Sequence, residues 1–196
     1  VPVHASGPYH VKDYRAEAVG VHTHCPPSGA FRGFGVPQAA IAQEVLFDEL
    51  AAKLGLDPLE FRVRNALKNG MPTVCGQVFE QGVGIGACFE ALRDAWKNAL
   101  VEVEEFNAKG GVVRRGVGIA AGWYGCGNTS LPNPSTIKVG VRLDGQFVLH
   151  QGAMDIGQGA NTVISQIFAQ ALGFDVHDLE LIGADTDVTP DAGKTS

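Results

Sequence analysis

The chain has 196 residues, of which 45% are hydrophobic, 18% charged and 8% aromatic, and a formal net charge of -6. That length accommodates one large or two small domains and can bury a substantial core. The acidic balance argues against a nucleic-acid or acidic-membrane surface, both of which call for basic patches, and no apolar run approaches the roughly 20 residues of a membrane span.

In chain order, Val1-Pro2-Val3-His4 lacks both the basic and the apolar part of a secretion signal. Residues 16–23 alternate in polarity and predict a strand, ended by Pro26-Pro27-Ser28-Gly29. Pro37 stands where a first helical residue is expected, and Ile41, Val45, Leu46, Leu50 and Leu54 follow at helical spacing until Gly55. Asp57-Pro58-Leu59-Glu60 opens a second helix with an N-cap, a proline at the first position and a glutamate at the third, and this helix is expected to reach about Lys68. Residues 70–86 read as a glycine-rich loop. A third helix is expected over about 86–106, with Cys88, Leu92, Trp96 and Leu100 four apart.

Lys109-Gly110-Gly111 is the expected domain boundary, dividing residues 1–109 from 110–196. Beyond it, residues 116–124 predict a strand, and 137–143 with 147–150 a hairpin about Asp144-Gly145. A helix after Gly159 would bury Val163, Ile164, Ile167, Phe168, Ala171 and Leu172, and a last strand covers 179–182. Strands and helices are partly segregated, so the fold class is α+β.

Two stretches carry the functional signal: Gly29-Ala30-Phe31-Arg32-Gly33-Phe34-Gly35-Val36-Pro37-Gln38 and Asp155-Ile156-Gly157-Gln158-Gly159. In each, glycines leave the main chain bare beside a functional side chain, which lets the backbone come within hydrogen-bonding distance of a bulky ligand. Both run into helix-like segments, so free N–H groups are expected to face whatever sits there, a setting suited to anionic groups.

Together, in this order, these stretches resemble the cofactor loops of the xanthine dehydrogenase/aldehyde oxidase family of molybdenum hydroxylases. Residues 28–38 are similar to the family's A-F-R-G-F-G-x-P-Q loop, 155–159 to its M-G-Q-G loop, and 185–196 to the following T-P-D-x-G-x-T-S-A-S loop. Leu-Gly-Leu-Asp-Pro-Leu-Glu-Phe-Arg at 54–62 is also family-like. The resemblance covers essentially the whole chain, yet only about a quarter of such a large subunit, so the chain reads as an internal piece. It implies that residues 1–109 form the C-terminal part of a first cofactor-binding domain with connecting helices. Residues 110–196 would then open the second.

Residue roles follow from the resemblance one at a time. Arg32 and Gly33 match the loop beside the molybdenum centre, and Phe34 matches an aromatic residue that packs on the substrate. Gln158 matches a glutamine whose amide reaches the pterin, flanked by Gly157 and Gly159. Thr195 and Ser196 match the start of the loop on the cofactor's far side. The family's general-base glutamate lies in a segment beyond Ser196, so no catalytic residue is assigned here and the 196 residues alone are expected to be inactive.

Three further departures bear on specificity. Lys194 stands where glycine is frequent. Gly127, Asn128 and Thr129 supply no second aromatic clamp of the purine-oxidising kind. Gly33 replaces the copper-binding cysteine of the carbon monoxide dehydrogenase branch. The implied reaction is hydroxylation of an aldehyde or N-heterocycle with water as the oxygen source. The implied cofactor is a molybdenum–pyranopterin, plain or as the cytosine dinucleotide. A 2Fe-2S cluster and FAD would sit on partner domains or subunits, beside the rest of the large subunit and a small-molecule substrate.

Two other readings stand beside this one. The first is a non-catalytic scaffold or assembly module that keeps the fold. The second is a small zinc-binding protein using His22, His24 and Cys25, since His22 and His24 would share one face of a strand. Asp185 and Asp187 would likewise share a face, at a solvated strand end. Cys25, Cys75, Cys88 and Cys126 form no C-x-x-C pair, which favours free thiols and a cytoplasmic location.

Overall fold

The structure is a computed structural model that describes residues 2–27, 29, 33–124 and 134–193. Its contacts divide the chain into two compact units, Val1–Ser130 and Leu131–Ser196.

The first unit is built on three helices, α1 (Val36–Lys53), α2 (Pro58–Asn65) and α3 (Ile85–Ala108). Asp57 determines how two of them meet. One of its carboxylate oxygens caps α2 by accepting from the Glu60 N–H at 3.0 Å, and the other accepts from the Trp96 indole on α3 at 2.8 Å. Tyr9, Leu59, Ala66, Phe89 and Trp96 form the core, with Phe47, Val63, Ile119 and Ala121 packed against it.

A buried polar network lies beside that core. Arg62, 0% exposed, donates to the Glu44 carboxylate at 2.7 Å and to the Pro58 and Glu44 carbonyls, each at 3.1 Å. Its other terminal nitrogen partner is Asp48, at 2.8 Å, and Tyr9 donates to the second Glu44 oxygen at 2.8 Å. Burial alone would lower the Arg62 pKa, but the hydrogen bonds it donates to Glu44 and Asp48 outweigh that and raise it. Burial, together with the Glu44 hydrogen bond, pushes the Tyr9 phenol well above its ordinary value.

Several elements differ from the sequence expectation. Helix α2 stops at Asn65 rather than Lys68, because the chain turns extended at Ala66 to pair with the N-terminal segment. The His10 N–H donates to Asn65 O at 2.9 Å and the Leu67 N–H to Pro8 O at 3.0 Å. Residues 16–23 and 116–124 form no strand: both run without a ladder partner among the described residues, and Val19 and Val21 are exposed. Alternation predicts a pleat, but a strand also needs a neighbour to receive its backbone hydrogen bonds. On α3 the inner positions belong to Phe89 and Trp96, while Cys88, Leu92 and Leu100 are exposed. Lys109-Gly110-Gly111 turns the chain within the first unit, where Asn107 exchanges two side-chain hydrogen bonds of 3.0 Å with the backbone of Arg115.

The second unit is a three-stranded sheet with one helix. Strands β1 (Ile137–Val141) and β2 (Phe147–Gln151) form the expected antiparallel hairpin, and α4 (Ala160–Leu172) connects β2 to β3 (Leu179–Gly183), which pairs parallel to it. Phe147 stacks on Phe174 at 4.1 Å and meets Phe168 of α4 edge-on, and Leu149 beside them is buried. The buried residues of α4 are Ser165 and Ala169, flanked by Ile164 and Phe168. Val163, Ile167, Ala171 and Leu172, expected inside, are exposed. Among the described residues no helix is long and apolar enough to cross a membrane.

Candidate functional site

The first glycine-rich loop ends in an unusual backbone. Gly33, Phe34 and Gly35 have φ of 95°, 52° and 91°, three left-handed residues in succession, and α1 starts directly after them. A Cβ on Gly33 would lie 2.8 Å from the Pro37 ring, so this position is closed to larger residues on both conformational and steric grounds. Phe34 has no such freedom as an L-residue, and its left-handed conformation is strained by about 1–3 kcal/mol. Its side chain is 54% exposed, so no packing in this unit explains the strain. Arg32 lies outside the described residues.

In the second unit, β2 and β3 end side by side, with Gln151 opposite Gly183. The loops that follow them, 152–159 and 184–193, therefore leave one edge of the sheet. This is the carboxyl end of a parallel strand pair, where open α/β sheets bind ligands. The two loops also touch: a Cβ on Gly152 would run into the Pro190 carbonyl oxygen.

Within the first of these loops the Asp155 and Gln158 side chains are both tied to the loop's own backbone. Asp155 Oδ1 accepts from the N–H groups of Gly157 at 2.8 Å and Gly159 at 3.4 Å, and Oδ2 accepts from Asn161 at 3.2 Å. Gln158 folds its amide back over the loop, accepting from the Ile156 N–H at 2.6 Å and donating to Met154 O at 3.0 Å. Gly157 and Gly159 take φ of 103° and 79°, which lets the turn close, and nothing lies within 4 Å of a Cβ placed on Gly159.

The expectation of free N–H groups for an anion is corrected here. The Asp155 carboxylate already holds the Gly159 and Asn161 amides at the start of α4, and its charge opposes a second anion. What the loop presents instead is the Gln158 carboxamide, locked in one orientation with one of its two N–H bonds unused by the loop, beside open backbone.

The other predicted residues fall elsewhere. His22, His24 and Cys25 are exposed in irregular chain rather than on a strand. Among the described residues no group of three His, Cys, Asp or Glu side chains could hold a metal ion. Asp185 and Asp187 belong to a turn after β3, with the Asp187 N–H donating to Asp185 Oδ1 at 2.9 Å. Thr195, Ser196, Lys194, Cys126, Gly127, Asn128 and Thr129 lie outside the described residues. Cys25, Cys75 and Cys88 are exposed. A cleft of about 420 Å³ in the first unit, lined among others by Phe79, Cys88 and Trp123, contains none of the predicted residues. Sequence reasoning missed the roles of Asp155 and Gly152. For Asp155 the signal was available, since an Asp two residues before a glycine is a common side-chain-capped turn.

Comparison with known proteins agrees with this architecture. Two models described as "Molybdopterin cofactor-binding domain" match, one over residues 90–196 and the other over residues 1–66. The xanthine dehydrogenase molybdenum-binding subunit of Escherichia coli O157:H7 is 38% identical over 177 residues, covering 86% of this chain and 23% of its own length. The aldehyde oxidoreductase of Megalodesulfovibrio gigas is 32% identical over 190 residues, or 95% of this chain and 20% of that protein. Among solved structures, the aldehyde oxidoreductase of Desulfovibrio desulfuricans superimposes with a TM-score of 0.67 at 32% identity, over 85% of this chain and 18% of that one. The chain thus spans less than a quarter of each of these relatives. It belongs to the molybdopterin cofactor-binding domains of the xanthine dehydrogenase/aldehyde oxidoreductase family, as a segment of a molybdenum hydroxylase large subunit.

Proposed function

We infer that the complete subunit hydroxylates an aldehyde or an N-heterocycle, taking the oxygen from water. The observation that carries this reading is the pair of family-like loops on one sheet edge, with the Gln158 amide fixed over its own loop between two left-handed glycines. This donor set fits a neutral hydrogen-bonding heterocycle better than a phosphate, because Asp155 already occupies the helix N-terminus. Gln158, Gly157 and Gly159 would hold the pterin, with Thr195 and Ser196 gripping it from the following loop. Arg32 and Gly33 would lie against the metal end and Phe34 against the substrate. When bound, the molybdenum–pyranopterin, plain or as the cytosine dinucleotide, supplies the redox chemistry.

The segment contributes position and electrostatics. Residues 1–109 complete a first cofactor-binding domain with connecting helices, and residues 110–196 open a second. The proton acceptor belongs to another part of the subunit, so the isolated 196 residues are inactive. Electrons leave to a 2Fe-2S cluster and FAD on partner domains or subunits. Reduced, exposed Cys25 and Cys88 support a cytoplasmic location. With no ring at Asn128, an aldehyde or small heteroaromatic is favoured over a purine.

The test is isotopic. The complete enzyme, turned over with aldehydes and N-heterocycles in ¹⁸O-water, should place the label in the product. Label drawn from dioxygen instead, or no turnover of either class, would refute the reading.

A further inference from the structure

Gln151 ends β2 and is 1% exposed. Its Nε2 donates to Asn161 Oδ1 at 2.5 Å, on the first turn of α4, and its Oε1 is buried without a hydrogen-bond partner. Turning the amide over would only exchange the ends: the oxygen would then face Asn161, and the nitrogen would be unmatched. Buried carboxamides are usually satisfied at both ends, so a half-satisfied one calls for a reason.

Its surroundings supply one. A Cβ on Gly183 would lie 3.2 Å from the Gln151 Nε2, so the amide lies over the last residue of β3, in the space a side chain there would claim. Gly183 leads into Ala184, whose φ of 56° starts the 184–193 loop. On its other side the amide grips Asn161, whose N–H in turn is held by the Asp155 carboxylate that organises Gly157 and Gly159. One buried side chain therefore meets a residue just after one loop, Asn161, and the residue just before the other, Gly183.

We propose that Gln151 is the positioning residue that sets the two loops in register with each other, so that both meet the cofactor. This rests on the assignment of those loops to the molybdenum cofactor. Gln151 acts through Asn161 and Gly183 and does not contact the cofactor itself.

The experiment compares three variants of the complete subunit, Gln151→Leu, Val148→Ala and Gln158→Ala, by hydrogen exchange and by molybdenum and pterin content. Val148 is buried on the same strand, three residues earlier and paired with Gly140 and Glu180 rather than Gly183, so its truncation controls for general loss of stability. Gln151→Leu should speed exchange of amides in 154–161 and 184–193 about tenfold and lower molybdenum content about fivefold. Val148→Ala, at an equal loss of Tm, should do neither. Unchanged loop exchange in Gln151→Leu, or the same loop effect in Val148→Ala, would overturn the proposal. Full molybdenum content in Gln151→Leu when Gln158→Ala has lost it would also overturn the proposal while sparing the loop assignment. Full content in both variants would remove the loop assignment, and this inference with it.

Discussion

Phe34 shows how far single residues could be read. The glycines around it advertise a loop that approaches a ligand, and Gly33 and Gly35 adopt the left-handed backbone that only glycine enters freely. That Phe34 itself joins them was not legible, because nothing in its identity favours φ of 52°. Strain of this sort at an exposed aromatic ring points to a function that fixes the ring. Phe34→Ala in the complete enzyme should leave molybdenum content intact and lower kcat/KM for an aromatic substrate by about tenfold, as loss of a stacked ring implies. Steady-state kinetics with metal analysis would check this, and an unchanged kcat/KM would take Phe34 out of the substrate site. Gln158 stood out in the sequence through its flanking glycines, whereas its tether to Met154 and Ile156 and the charge of Asp155 beside it depend on how the loop closes in space.

At the scale of elements, helix starts were the most legible features. Asp57 caps α2 as the sequence implied, and Asp144-Gly145 turns the β1–β2 hairpin. Local chemistry decides both, so a local reading suffices. Strands at 16–23 and 116–124 failed because pairing is not local. The buried face of α4 was misjudged for a related reason: spacing shows that a helix has an apolar stripe, not which part of it meets this unit's core.

The Arg62–Glu44–Tyr9 network was also invisible, since buried ion pairs resemble surface charges in a sequence. It joins α1 to α2, and breaking one side of it should be severe. Arg62→Ala strands the Glu44 carboxylate in the interior and should destabilise the chain by about 3–5 kcal/mol. The combined change Tyr9→Phe, Glu44→Leu and Arg62→Met, which leaves only the half-exposed Asp48 carboxylate behind, should cost far less. Denaturant titration would compare them, and a loss below about 1 kcal/mol for Arg62→Ala would show the network to be marginal.

For the whole molecule, the two units each have their own core, and the chain accounts for only 23% and 20% of two relatives' lengths. Apolar residues on the outer faces of α1 and α4, such as Ile41, Val45 and Ile167, have no cover among the described residues. A stripe read from spacing can thus be real while its partner lies outside the segment. The family was legible from two short loops because close backbone approach to a large cofactor restricts residue choice more tightly than core packing does.

The central claim is that these loops hold a molybdenum–pterin cofactor. It is tested most directly by measuring molybdenum and pterin per subunit in the purified complete enzyme and in its Gln158→Ala variant. The account predicts near-stoichiometric molybdenum and pterin in the wild type and, with the subunit still folded, about fivefold less in the variant, equivalent to roughly 1 kcal/mol of binding. Full occupancy in Gln158→Ala, or a folded wild-type subunit isolated with its partners that contains neither molybdenum nor pterin, would contradict it.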